Sequence, residues 1–147
     1  MKNTPLFPPG LHPVTEGELD NHFLQAFAAS QTRPALIAGL RAFLASLKRV
    51  GVAFEVWLDG SFCTEKLNPN DVDIVVFADE HQLNRLDPGI QQYLSALLDR
   101  PNTKVKFGCD VLFAVASDLD ARSYWRGWYG FDRSEQPKGI VQIMLSP

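Results

Sequence analysis

The residues whose types and spacing could do chemistry are Asp71, Asp73 and Asp110, together with the Gly60-Ser61 pair. Asp71 and Asp73 are separated by one valine in Asp71-Val72-Asp73-Ile74. On a strand, that spacing projects both carboxylates from one face. Two hard oxygen ligands on a rigid strand suit Mg²⁺, with Mn²⁺ as the alternative, because such ions take carboxylates together with substrate phosphates. Asp110 lies in the apolar run Cys109-Asp110-Val111-Leu112-Phe113. A lone carboxylate there is costly unless it is paired, protonated or bound to metal. If its strand neighbours that of Asp71, at a spacing of ~4.8 Å, three carboxylates converge. Such a set can hold two metal ions ~3.5–4 Å apart, as in-line phosphoryl or nucleotidyl transfer requires. Gly60-Ser61 directly follows an apolar strand. Gly60 has no Cβ, so the backbone there can approach an anion closely, and the Ser61 hydroxyl adds a donor.

Each motif alone has a plainer reading. Gly60-Ser61 is also a common strand-to-helix turn. Asp71 and Asp73 also suit the solvent face of an edge strand. Asp110 could be an acid paired with Lys104 or Lys106, which in strand alternation share its face. Order, spacing and strand context together favour the metal site. Lys138, between Pro137 and Gly139, is a candidate phosphate contact, against the reading of a solvated turn lysine.

The elements that must position these residues follow from the pattern. Residues 1–14 read as an extended arm, since Pro5, Pro8, Pro9 and Pro13 remove amide donors and fix φ. The arm could lie along a partner. Residues 15–147 read as a single domain. Thr15-Glu16-Gly17-Glu18 fits a capping box, opening a helix with Leu19, Phe23, Ala26 and Phe27 on one face. Leu36, Ile37, Leu40, Phe43, Leu44 and Leu47 recur at helical spacing behind Thr32-Arg33-Pro34, and Gly51 can close that helix. Strands are expected at 53–58 and 71–77. A helix is expected after Asp87-Pro88-Gly89, then a long strand over 104–116 bent at Gly108. A short aromatic-rich helix capped by Ser117 or Asp118 follows, then a turn at 132–139 and a last strand at 140–145. The fold class is α/β (α+β): a mixed sheet of about four to five strands flanked by helices. The aromatic segment Tyr124, Trp125, Trp128, Tyr129 and Phe131 suits packing better than base stacking.

Composition bounds the class. The chain has 147 residues, 46% hydrophobic and 21% charged, which is one globular domain rather than a disordered chain. Its net charge of −3 argues against non-specific duplex DNA binding, which needs a basic face, and leaves room for a local basic site. No apolar run approaches the ~20 residues of a membrane helix. Neither a secretory signal nor a disulfide framework is visible, so the expectation is a cytoplasmic protein, off the membrane, with Cys63 and Cys109 as reduced buried thiols.

Gly60-Ser61, nine residues, Asp71-Val72-Asp73 and a later Asp110 resemble the signature of the nucleotidyltransferase superfamily, which includes DNA polymerase beta, poly(A) polymerases and aminoglycoside nucleotidyltransferases. Trp57-Leu58-Asp59-Gly60-Ser61-Phe62 through Pro69-Asn70-Asp71-Val72-Asp73, the arm Pro8-Pro9-Gly10-Leu11-His12-Pro13 and the tail from Gly130-Phe131 to Ile140 resemble, more narrowly, a bacterial family of small stand-alone nucleotidyltransferase-like proteins. The resemblance implies that Gly60 and Ser61 grip phosphates and that Asp71 and Asp73 ligate metal. It implies that Asp110 is the third carboxylate, which helps deprotonate the acceptor hydroxyl. One departure from the pattern is Asn70 ahead of Asp71, which removes no ligand. The implied activity is transfer of NMP from an NTP to a hydroxyl of RNA, protein or a small molecule. The implied setting is a toxin–antitoxin or defence pair with a protein partner. The alternatives are a catalytically silent antitoxin or regulatory module, or an NTP sensor with the same fold. The large helical domain with which many members choose base and acceptor is absent from these 147 residues, so the resemblance does not name the substrate.

Overall fold

The computed structural model describes residues 4–131 and 138–147. It is a mixed α/β fold built on a five-stranded sheet in the order β1-β5-β2-β3-β4. The strands are β1 (Gly10–Pro13), β2 (Phe54–Asp59), β3 (Val72–Ala78), β4 (Cys109–Val115) and β5 (Gly139–Leu145). β2 is antiparallel to both β3 and β5, while β3 and β4, and β1 and β5, are parallel. The helices are α1 (Leu19–Phe23), α2 (Arg33–Lys48), α3 (Glu80–Asn84), α4 (Pro88–Leu97), α5 (Arg100–Phe107) and α6 (Leu119–Tyr129). No helix among the described residues is long and apolar enough to cross a membrane.

The sheet has two differently furnished faces. One buries Phe54, Val56, Leu58, Ile74, Val76, Val111 and Ile143 against Leu40, Phe43, Leu44 and Leu47 of α2 and Phe107 of α5. The helical spacing read in α2 is therefore its core stripe. The other face carries a smaller cluster, Trp57, Val75, Phe77, Ala114 and Ile140, covered by Trp125 and Tyr129 of α6. The aromatic segment thus divides: Trp125 and Tyr129 pack on the sheet, whereas Tyr124, Trp128 and Phe131 are exposed.

The Pro-rich arm is extended, and it lies on its own domain. Gly10–Pro13 pairs with residues 139–142 of β5. The Leu6 amide donates to the Cys63 carbonyl at 3.0 Å, and the Glu65 amide to the Thr4 carbonyl at 2.7 Å.

Two expected elements are corrected. The helix expected from Thr15 is broken into two 3₁₀ turns, Glu16–Glu18 and Gln25–Phe27, around the short α1. The Glu18 carboxylate does accept the Thr15 amide at 2.9 Å, as a capping box requires. The break follows Phe23, whose carbonyl accepts from Arg33 Nη1 at 3.1 Å, while the Phe27 amide turns to the Leu24 carbonyl. Leu19, Phe23 and Phe27 are buried as expected, but Ala26 is exposed.

The strand expected over 104–116 is a helix up to Phe107, followed by β4. Asp99 and Pro101 begin α5, and Gly108 ends it in the left-handed region at φ +71°. Lys104 and Lys106 therefore lie on α5 and do not share a strand face with Asp110. α5 is held close to α2: a Cβ at Gly39 would overlap the Phe107 carbonyl oxygen. The helix α3 was not anticipated; the Asp79 carboxylate caps it, accepting from the His81 amide at 2.8 Å. Of the turn expected at 132–139, residues 132–137 lie outside the described residues.

Candidate metal centre

Strand register builds the site. Asp73 faces Asp110 across the parallel β3–β4 pair, and Asp59 faces Asp73 across the antiparallel β2–β3 pair. Residues directly opposite in a ladder point to the same side. Three carboxylates from three adjacent strands therefore stand in one row at one end of the α6 face. Asp71, two residues before Asp73, points the same way. One oxygen from each of Asp71, Asp73 and Asp110 lies within 4.8 Å of the others. The structure thus brings together the three expected ligands.

Gly60 ends β2 beside the row, with φ +81° and ψ −165°. Its Cα faces Asp73: an added Cβ would overlap Oδ2 and lie 2.9 Å from Cγ. The glycine is therefore required twice, by its backbone angles and by a carboxylate packed on it. Ser61 opens a 3₁₀ turn over Ser61–Cys63, and its carbonyl accepts from the Thr64 hydroxyl at 2.7 Å. The turn is pinned by Arg33, a fully buried guanidinium with no carboxylate partner among the described residues. It donates to the carbonyls of Phe62 at 3.0 Å, Thr64 at 2.8 Å and Lys66 at 2.7 Å, and lies 3.7 Å over the Phe27 ring.

The electrostatics of the row are strained by like charge. Burial, then the neighbouring charges of Asp71 and Asp110, push Asp73 up to about 6. A divalent cation between these carboxylates relieves that repulsion, so the donor set fits a hard metal ion. Asp110 is held below the usual carboxylate range by Arg100, whose Nε and Nη2 donate to Oδ1 at 2.9 Å and Oδ2 at 3.1 Å. Lys104 Nζ lies 3.2 Å from Asp71 Oδ2. Tyr129 of α6 has its hydroxyl pKa raised by burial and then by the charges of Asp73, Asp59 and Asp110.

Lys138 lies just ahead of β5, with its Nζ 3.0 Å from Asp59 Oδ1. Its side chain is only 12% exposed, so it is not the solvated turn lysine of the plainer reading. Asp59 itself is 2% exposed, and among the described residues neither oxygen has a well-directed hydrogen-bond donor. Burial pushes it up to about 7 against the opposing pull of Lys138.

Asp59 and Arg100 are the members of this constellation that the sequence reading missed. Asp59 carried a usable signal, being the last residue of an apolar strand and directly ahead of Gly60. Arg100 carried none until α5 was known as a helix, because it reaches Asp110 only from a helix's first turn. Cys63 and Cys109 are free and buried, as expected, and burial pushes the Cys109 thiol up to about 12. No curated protein and no solved structure matches this chain. The arm, the Gly-Ser turn, the carboxylate row and Lys138 ahead of β5 all fall within one family pattern: the chain belongs to the family of unknown function DUF6932, whose model matches residues 1–144.

Proposed function

We propose that the chain is a divalent-metal-dependent nucleotidyltransferase, taking an NTP and an acceptor hydroxyl and releasing pyrophosphate. The acceptor oxygen would form a bond to the α-phosphorus as the bond to the β-phosphate bridging oxygen breaks. The observation that carries this reading is the convergence of Asp71, Asp73 and Asp110 within 4.8 Å, beside a glycine turn packed on Asp73. Asp71, Asp73 and Asp110 would hold Mg²⁺ or Mn²⁺, which supplies charge neutralisation on the phosphates. Gly60 and Ser61 would place the phosphate chain against the row. Asp110 is the carboxylate that the resemblance assigns to the acceptor proton. Lys138, whose Nζ pairs with Asp59 Oδ1 at 3.0 Å, would stand beside the row as a further contact for the phosphates. On the resemblance alone, we place the chain in a bacterial toxin–antitoxin or defence pair, with a protein partner.

A thermal-shift series against ATP, GTP, CTP and UTP, with and without Mg²⁺, tests the reading. A nucleotide at ~100 times its Kd stabilises by about 2.7 kcal/mol, or about 5–11 °C for a domain of this size. The expected result is a metal-dependent shift, lost in Asp71→Asn/Asp73→Asn, together with pyrophosphate release when RNA, protein and small-molecule hydroxyls are supplied as acceptor. A cooperatively melting protein that no nucleotide shifts refutes the enzyme and the sensor alike. A shift without turnover leaves the sensor. The ion pairs that Arg100 and Lys104 make with two of the three ligands are the one observation favouring these silent readings.

A further inference from the structure

We propose that Arg100 and Lys104 form a displaceable cationic clamp: they compete with the divalent ion for Asp110 and Asp71, and once displaced they bind the polyphosphate of the substrate. This inference rests on the nucleotidyltransferase reading and adds to it how the site couples metal and nucleotide.

Four observations carry it. First, the two cations are four residues apart on α5, which places them on one helix face, and each meets a different carboxylate of the triad. Second, Arg100 takes both oxygens of Asp110 in a forked contact, so the same lone pairs cannot serve a metal while the fork is closed. Third, the helix is fixed but its cations are not buried. Gly39 of α2 packs against the Phe107 carbonyl, and a Cβ at Gly108 would lie 2.9 Å from Leu36 Cδ2. The side chains of Arg100 and Lys104 are 56% and 55% exposed, against 23% for each of their carboxylate partners. The heads can therefore swing while their attachment stays in place, and such exposed pairs yield readily. Fourth, the charge count changes sign. Asp59, Asp71, Asp73 and Asp110 face Lys138, Arg100 and Lys104, a formal −1. One divalent ion makes it +1, so the two cations released from their carboxylates stand beside a net positive site that an anionic ligand would neutralise. A polyphosphate supplies closely spaced oxygens suited to an Arg fork and an ammonium.

Two titrations with the full chain test this, using Mn²⁺ alone and then inorganic tripolyphosphate in saturating Mn²⁺. Arg100→Gln and Lys104→Gln are compared with wild type, with Asp73→Asn, and with Lys106→Gln. Lys106 is on the same helix but lies against the Phe107 ring, 5.2 Å from its centroid, so it reports the background effect of removing a charge. The expected result has opposite signs in one variant. Arg100→Gln and Lys104→Gln bind Mn²⁺ more tightly than Lys106→Gln does, by about two- to fivefold, the size of an exposed ion pair. They bind tripolyphosphate more weakly than Lys106→Gln by at least that factor, and Arg100→Lys recovers part of the loss. A merely structural role for α5 weakens both ligands together and overturns the clamp. Mn²⁺ binding that Asp73→Asn abolishes, but that Arg100→Gln and Lys104→Gln leave at the Lys106→Gln level, overturns the clamp and keeps the metal site. Absence of Mn²⁺ binding in every protein overturns both.

Discussion

Replacing Gly60 by alanine puts a methyl group where the Asp73 carboxylate stands. Two costs can be separated. The backbone at φ +81° and ψ −165° lies in a region that glycine alone occupies freely, and other residues there cost roughly 1–3 kcal/mol. The methyl would also overlap Asp73 Oδ2 and lie 2.9 Å from Cγ, an overpacking cost of about 1–3 kcal/mol if the carboxylate is forced to shift. Together these make roughly 2–6 kcal/mol, a large share of the 5–15 kcal/mol by which domains are usually stable. Urea unfolding at pH 7 with a chelator present measures the loss without metal linkage. Gly51→Ala is the control, because Gly51 has φ +89° but nothing within 4 Å of an added Cβ. Asp73→Ala is the partner variant, because it removes Cγ and both oxygens. We expect Gly60→Ala to cost more than Gly51→Ala, and expect the excess, about 1–3 kcal/mol, to disappear in the Asp73→Ala background. Equal costs at the two glycines, with no rescue by Asp73→Ala, refute the contact and with it the claim that Gly60 seats the metal row.

The raised pKa values of Asp59, about 7, and Asp73, about 6, predict a definite pH dependence. Both carboxyls titrate near 3.9 in the unfolded chain, so the native protein binds more protons than the unfolded one between about pH 4 and 7. Stability from these groups is therefore fully present below about pH 4 and lost as pH rises through 6 to 7. The urea midpoint in chelator should fall from pH 5 to pH 8 and flatten in Asp59→Asn/Asp73→Asn, while Mn²⁺ affinity of the wild type should climb over the same interval; a midpoint that rises instead contradicts the burial of the row. Arg33→Met should strip donors from the carbonyls of Phe23, Phe62, Thr64 and Lys66. An unsatisfied buried polar group costs about 1–3 kcal/mol, so we expect a loss above ~3 kcal/mol and faster amide hydrogen exchange over residues 61–66. A loss below ~1 kcal/mol would show that water or a rearranged turn replaces the guanidinium.

Local pattern carried most of the architecture. The apolar spacing of Leu36 to Leu47 wrote α2, which buries one continuous stripe, and the apolar run around Val72, Ile74 and Val76 wrote β3, whose other face buries Val75 and Phe77 as well. The same logic misread residues 104–107. Lys104-Val105-Lys106-Phe107 alternates like a strand, yet in α5 Val105 is 90% exposed and only Phe107 of these four is buried. Pro101 at the helix start and Gly108 at its end outweighed a two-residue alternation too short to specify a face.

The sequence by itself determined that the three aspartates lie on strands and that a Gly-Ser turn ends one of them, because side-chain period and glycine's missing Cβ are properties of a few adjacent residues. That Asp110 stands at a strand start was decided by the helix that ends at Gly108. Only the tertiary structure decided which groups meet. The β2–β3 and β3–β4 registers align Asp59, Asp73 and Asp110. The packing of α5 on α2 carries Arg100 and Lys104 to the triad, and β5 returns Lys138 to Asp59. Register and helix docking are settled by burying whole faces at once, and that free energy is spread over contacts between residues far apart in the chain.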